Sequence, residues 1–156
     1  MEHITIENLR EDMTGVARNI VMSCQELDLH TPYTYWVLAK YYHDTCFIMK
    51  ADNQTAGLIT GINNDGIGFV WQIGILEEYR RKGYSYYLID RQFRQFKSLG
   101  VQRVELTIEE GNKASLAAFQ GYCSKYHFSM LQDEIISINA KDLVQNEVLY
   151  HIILHD

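Results

Sequence analysis

Arg80, Arg81 and Lys82 stand in a row immediately before Gly83, between the apolar run Trp71 to Leu76 and a helical pattern that opens at Tyr84. In open α/β sheets, ligands bind outside the carboxyl ends of the strands, where such a turn sits. The helix start presents unpaired N–H groups and a partial positive charge that suit a phosphate. Gly83 has no Cβ to hold a ligand away from the backbone, and the three cations attract a polyanion. The stretch outlines a pyrophosphate cradle; its plainer alternative is a solvated basic turn before an ordinary helix. The spacing is neither that of a P-loop nor the GxGxxG of dinucleotide sites.

A second candidate lies on the strand expected over residues 101–109. Val104, Leu106 and Ile108 share one face, and Glu105 and Thr107 share the other. A carboxylate inside a strand is costly unless paired. Glu105 is therefore expected to face a cleft and meet a cation, with Thr107 beside it, unless that face is simply solvated. Trp71 shares a face with Ile73 and Ile75 by alternation and reads first as a core residue. Asp28, in "ELDLHTPY", is a helix cap, a surface charge or a binding group; loop position favours binding. His30, His43 and His127 have no spacing that singles one out, and no Cys or His pair points to a metal.

The elements that position these residues follow from two hydrophobic periods. "HITIEN" is a strand. Glu11 to Gln25 is a helix, with Val16, Ile20 and Cys24 on one face, and "YTYWVLAKYYHD" is a second, shorter one. "CFIMKADNQTAGLITGIN" is a hairpin turning at Asp52 and Asn53. "GIGFVWQIGIL" is a long strand, Tyr84 to Leu99 a helix closed by Gly100, and "VQRVELTIEE" a strand. Asn112 caps a last helix, and "EVLYHIIL" ends the chain as a strand. The order β-α-α-β-β-β-α-β-α-β predicts a mixed α/β sheet, mostly antiparallel, with helices on both faces. Its one β-α-β crossover sets strands 68–76 and 101–109 side by side and parallel.

The 156 residues, 47% of them hydrophobic, suit a single domain over 1–156 with a sizeable core. No apolar run is long enough to span a bilayer, so no membrane partner is expected. A net charge of −6 disfavours nucleic acid as a partner. Cys24, Cys46 and Cys123 are odd in number and set in apolar surroundings. They read as buried free thiols of a reducing compartment, which makes the cytoplasm the default location.

"RRKGYS" resembles the R/Q-x-x-G-x-G/A signature of the GNAT superfamily of acetyl-CoA-dependent N-acetyltransferases, with Ser85 at the last small position. The order of elements and "GNKASLAAFQGYCSKYHF" fit that family's fold. The resemblance implies acetyl-CoA as cofactor. Main-chain groups of Ile73, Gly74 and Ile75 would hold its pantetheine arm, and the turn from Arg80 through Arg81, Lys82, Gly83 and Tyr84 to Ser85 its pyrophosphate. Asn112 matches the family's cofactor-contacting Asn.

Within the superfamily, "ELDLHTPYTYWVLAKYYHDTC", "GFVWQIGI", "RVELTIEEGNKASLAAF" and "NEVLYHI" resemble the diaminobutyrate acetyltransferases of ectoine synthesis. "IEEGN" departs from their "VTPDN", and Glu105-Leu106-Thr107 from their Glu-Thr-Thr run. The resemblance implies a small diamino acid as acceptor, bound by Asp28, Tyr33, Trp71, Glu105 and Thr107. Glu105 would also take part in catalysis, and a homodimer is expected. Acetyl transfer needs the amine deprotonated, the oxyanion stabilised and the thiolate protonated. Many GNAT enzymes supply the last proton from a Tyr seven residues after the helix-start Asn. That position is Phe119 here, which leaves Tyr122, three residues on, as the candidate acid, with Tyr126 or water as alternatives. Two other readings stay open: an acetyltransferase for a different small amine (a polyamine, amino-sugar or amino acid), and a non-catalytic acyl-CoA-binding module.

Overall fold

The computed structural model describes residues 2–140 and 143–155. Seven strands form one sheet in the order β1-β2-β3-β4-β5-β7-β6. They are β1 (Ile4–Asn8), β2 (Phe47–Ala51), β3 (Gln54–Asn64), β4 (Ile67–Ile75), β5 (Arg103–Glu109), β6 (Ser129–Ala140) and β7 (Leu143–Ile153). Only β4 and β5 pair in parallel; the other neighbours are antiparallel. Four α-helices cover the sheet: α1 (Thr14–Met22), α2 (Pro32–Tyr41), α3 (Tyr84–Ser98) and α4 (Lys113–Tyr126).

Alternation along the central strands splits the core in two. Ile48 and Leu58 face α1 and α2, where they meet Ala17, Ile20, Tyr35 and Leu38. Met49 and Ile59 face the other way, toward Leu88, Phe93, Phe96 and Phe119 of α3 and α4. Helices therefore lie on both faces, as the sequence predicts.

Local signals place most boundaries. Asp52 and Asn53 take positive φ (48° and 66°) at the β2–β3 turn, and Asp65 and Gly66 do so at the β3–β4 turn (52° and 86°). Two positive φ values in a row are the geometry that matches strand twist in a tight hairpin. Gly100 closes α3 at φ 81°. The Asn112 side chain accepts from the Ser115 N–H and opens α4.

Three expectations need correction. The first helix is shorter: Glu11–Met13 form a 3-10 turn, and the α-helix ends at Met22. Strand β6 was absent from the expected order. Its sequence carries Asp133 and Glu134 in mid-strand, and its pairing with β7 shifts register between Gln132 and Ile135, so no clean alternation marks it. The parallel β4–β5 ladder is also short. It runs from Ile67↔Arg103 to Val70↔Leu106 and stops. Beyond Val70 the two strands separate, and the gap they leave positions the site.

Candidate active site

Two adjoining clefts occupy the gap between β4 and β5. The first, about 340 Å³, runs from Ile73–Ile75 to the turn at Arg80–Ser85 and the start of α4. The second, about 350 Å³, lies between the loop after α1 and the facing ends of β5 and β7. Glu26, Leu27, Ile73, Asn112 and Ser115 border both, so the two meet at the middle of the gap.

The first cleft is built for an anion. Among the described residues, the backbone N–H groups of residues 81–85 donate to no protein acceptor. Arg81 (φ 62°) and Gly83 (φ 75°) both take left-handed backbone, which folds successive amides into a concave nest. A Cβ on Gly83 would meet nothing within 4 Å; what the position requires of glycine is the positive φ. Arg80 secures the turn, its Nε donating to the Ile75 carbonyl at 2.8 Å. Leu76 N–H pairs with Ala56 of β3. By alternation, Ile73 and Ile75 then point their own N–H groups away from β3 and into the gap. A diphosphate with a pantetheine-like arm fits these groups: nest amides at one end, strand N–H groups along the arm.

Lys82 differs from the expectation. Its Nζ lies 2.9 Å from Glu2 Oε1, and the Tyr84 hydroxyl binds the same carboxylate oxygen. Lys82 ties the N-terminal segment to the turn and does not border the cleft. Tyr84 and Ser85 border it, as do Arg80 and Arg81.

The second cleft is acidic. Asp28, Glu109 and Glu147 border it, with Glu26 at the junction, and among the described residues no Lys or Arg does. Glu109 and Glu147 are cross-strand partners on β5 and β7. Glu147 Oε1 accepts from Gln145 Nε2 at 3.2 Å, while its Oε2 is buried without a partner. Burial, then the neighbouring charges of Glu109 and Asp28, push the Glu147 carboxyl above its ordinary value. A buried carboxylate held among like charges has its lost solvation restored by an incoming ammonium.

The loop carrying Asp28 is fixed from beneath. Gln72 is 6% exposed. Its Nε2 donates to the Asp28 carbonyl at 2.7 Å, and its Oε1 accepts from the Tyr35 hydroxyl at 3.2 Å. Trp71 is the extra residue of a bulge, since Thr60 pairs with Gln72 and Gly61 with Val70. The bulge takes Trp71 out of the core assignment. Its ring is 41% exposed and stands edge-on to His30, with centroids 5.6 Å apart. Thr107 borders the second cleft.

Three expected residues are not brought to the clefts. Glu105 does meet a cation, but that cation is Arg103, at 3.1 Å, two residues away on the same strand. Glu105 sits within the closed β4–β5 ladder, opposite Phe69, before the strands part. Tyr122 is 5% exposed and packs with Phe93 and Tyr126 between α3 and α4. Its hydroxyl donates to Asp90 at 3.1 Å, and burial, then the Asp90 charge, pushes its pKa up. One helical turn from Asn112 reaches the cleft at Ser115, but Tyr122 has rotated into the core. Tyr33 is 70% exposed and stacks on Trp36. The acidic residues that do face the second cleft, Glu109 and Glu147, were missed. "NEVLYHI" offered one signal, a carboxylate directly before the apolar run Val148-Leu149 within β7.

The chain matches the acetyltransferase (GNAT) family over residues 15–122. It is 30% identical over 132 residues to an L-2,4-diaminobutyric acid acetyltransferase of Halalkalibacterium halodurans, covering 83% of this chain and 68% of the relative. A protein of the same description from Shouchella clausii is 29% identical, with 68% of this chain and 61% of the relative covered. The chain thus spans about two thirds of the length of these relatives. Its fold is similar to that of diaminobutyrate acetyltransferase EctA from Paenibacillus lautus, solved with L-2,4-diaminobutyric acid and coenzyme A. The TM-score is 0.91 over 100% of this chain and 99% of the other, at 22% identity. It is also similar to the ribosomal-protein-S18-alanine N-acetyltransferase of Escherichia coli, with a TM-score of 0.80 over 99% and 96% of the two chains, at 14% identity. A separated β4–β5 pair, an amide nest at the strand-to-helix turn and a family match across both lead to one conclusion: the chain belongs to the acetyltransferase (GNAT) family.

Proposed function

We propose that the chain is an acetyl-CoA-dependent N-acetyltransferase that acetylates a primary amine of a small diamino acid, 2,4-diaminobutyrate. The observation that carries this reading is the junction of an amide-lined cleft with an acidic one at Ile73 and Asn112. The diaminobutyric acid acetyltransferases among its relatives give the acceptor its name.

Acetyl-CoA, when bound, supplies an activated acetyl thioester. The nest amides of residues 81–85 hold the pyrophosphate, and Asn112 and Ser115 border the path toward the junction. The Ile73 N–H faces the gap, where an oxyanion develops during acyl transfer, and donates to it. Glu147 and Asp28 hold the acceptor's ammonium groups, with Glu109 adding to the field. Glu147, its carboxyl raised above the ordinary value by burial and like charges, is the group placed to take the ammonium proton. Trp71 flanks the acceptor's alkyl chain. Glu105, Tyr122 and Tyr33 have no part in this assignment; the thiolate receives its proton from water.

We place the protein in the cytoplasm, on the strength of three buried free thiols. We assign it a homodimer through edge strand β6, which exposes Leu131 (51%) and Ile135 (53%). An unpaired strand edge with apolar side chains favours pairing with another chain.

The test is release of free thiol from acetyl-CoA against a panel of amines. Diaminobutyrate is expected to lead, ahead of ornithine and monoamines. Equal rates with monoamines would remove the diamino-acid acceptor and leave the acetyltransferase in place. No thiol release with any amine would favour the acyl-CoA-binding module.

A further inference from the structure

Among the described residues, the acceptor cleft has four bordering carboxylates, Glu26, Asp28, Glu109 and Glu147, and no bordering Lys or Arg. That inventory serves the two ammonium groups of a diamino acid and leaves its carboxylate unserved. A carboxylate entering such a field needs a donor that can carry positive charge. Two of the neutral amides are already committed, Gln72 Nε2 to the Asp28 carbonyl and Gln145 Nε2 to Glu147, and the third, Asn112, stands at the junction with the first cleft.

Among the described residues, His30 is the one basic side chain on the wall. Its backbone is held on both sides. The His30 carbonyl accepts from Arg18 Nε at 3.1 Å, and its N–H donates to the Tyr35 hydroxyl at 3.5 Å. Its ring is oriented by Trp71. Among the described residues, neither ring nitrogen has a hydrogen-bond partner. Imidazole presents at least one N–H donor in either protonation state and gains a charge when protonated. We infer that His30 is the specificity-determining residue that binds the acceptor's carboxylate, and thereby separates diamino acids from plain diamines at this site. The inference rests on the diamino-acid acetyltransferase reading above.

Two acceptors test it, 2,4-diaminobutyrate and 1,3-diaminopropane, which has the same two amines and no carboxylate. Steady-state kinetics are measured for wild type, His30→Leu and His30→Lys, with the acetyl-CoA-induced rise in Tm as the check on folding. Wild type is expected to acetylate both. His30→Leu should lower kcat/KM for diaminobutyrate by roughly 10- to 100-fold, as for loss of a charge-assisted hydrogen bond. It should leave diaminopropane within about 2-fold, since the diamine makes no use of the lost group. His30→Lys, which restores a cationic donor, should recover most of the loss. A His30→Leu variant in which both acceptors fall together, or neither does, overturns the inference. So does a wild type that acetylates the diamine as efficiently as diaminobutyrate, because the carboxylate then gains nothing from this site. A wild type inactive on both sinks the underlying reading together with this one.

Discussion

Glu109 and Glu147 face each other as cross-strand partners on β5 and β7, and Glu147 Oε2 is buried with no hydrogen-bond partner. Two carboxylates so placed destabilise the empty protein and await a cation. Replacing Glu147 by Gln keeps the shape and removes the charge. Activity with diaminobutyrate should fall by roughly 10²-fold in kcat/KM, as for removal of a general base, while the acetyl-CoA-induced Tm rise stays the same.

The same pair predicts a pH dependence of stability. The Glu147 carboxyl is raised above 4.5 in the folded protein, so the folded state binds more protons than the unfolded one between the two values. Stability then falls as pH rises through that window. Glu147→Gln, neutral at every pH, should melt above wild type at neutral pH. The difference should close as pH falls toward 4.5, the ordinary value. Melting curves of the two proteins across pH 4–8 check this; a variant that melts lower at neutral pH contradicts it.

Gly83 takes φ 75° in the amide nest. Gly83→Val puts a β-branched residue into left-handed backbone, at a cost of order 1–3 kcal/mol, and the turn relieves it by moving. The nest amides then no longer converge. The Tm rise given by acetyl-CoA should be abolished, by mass action, while acceptor-side residues stay in place. An undiminished rise would put the pyrophosphate elsewhere.

Tyr122→Phe separates catalysis from packing. The variant loses one buried hydrogen bond to Asp90, which keeps its ion pair with Arg94 at 2.9 Å. Stability should drop by about 0.5–1.5 kcal/mol, with turnover within about 2-fold of wild type. Denaturant unfolding and thiol release measure the two; a large loss of turnover at unchanged stability would return Tyr122 to the mechanism.

Glu105→Gln removes a partly exposed ion pair with Arg103. Such pairs contribute about 0–1 kcal/mol. Both stability and kcat/KM should stay close to wild type. A strong loss of diaminobutyrate activity would show that the paired part of β5 reaches the acceptor.

The sequence by itself determined what neighbouring residues determine. Asp52-Asn53 and Asp65-Gly66 specify tight hairpins, Asn112 and Gly100 cap helices, and the RRKG turn before α3 marks the amide nest. Each is a short-range matter of φ and hydrogen bonding, legible without the rest of the chain. Only the tertiary structure decided where the chemistry sits. Glu105 and Thr107 look equivalent on one strand face, yet Glu105 lies inside the paired part of β4–β5 and Thr107 beyond the point where the strands part. Tyr122 looks available as an acid, yet packing between α3 and α4 buries it. Glu147 joins Glu109 because β7 inserts between β5 and β6. Register and strand order are long-range properties: a shift of one residue moves a side chain to the opposite face, and the local sequence of either strand does not carry that information.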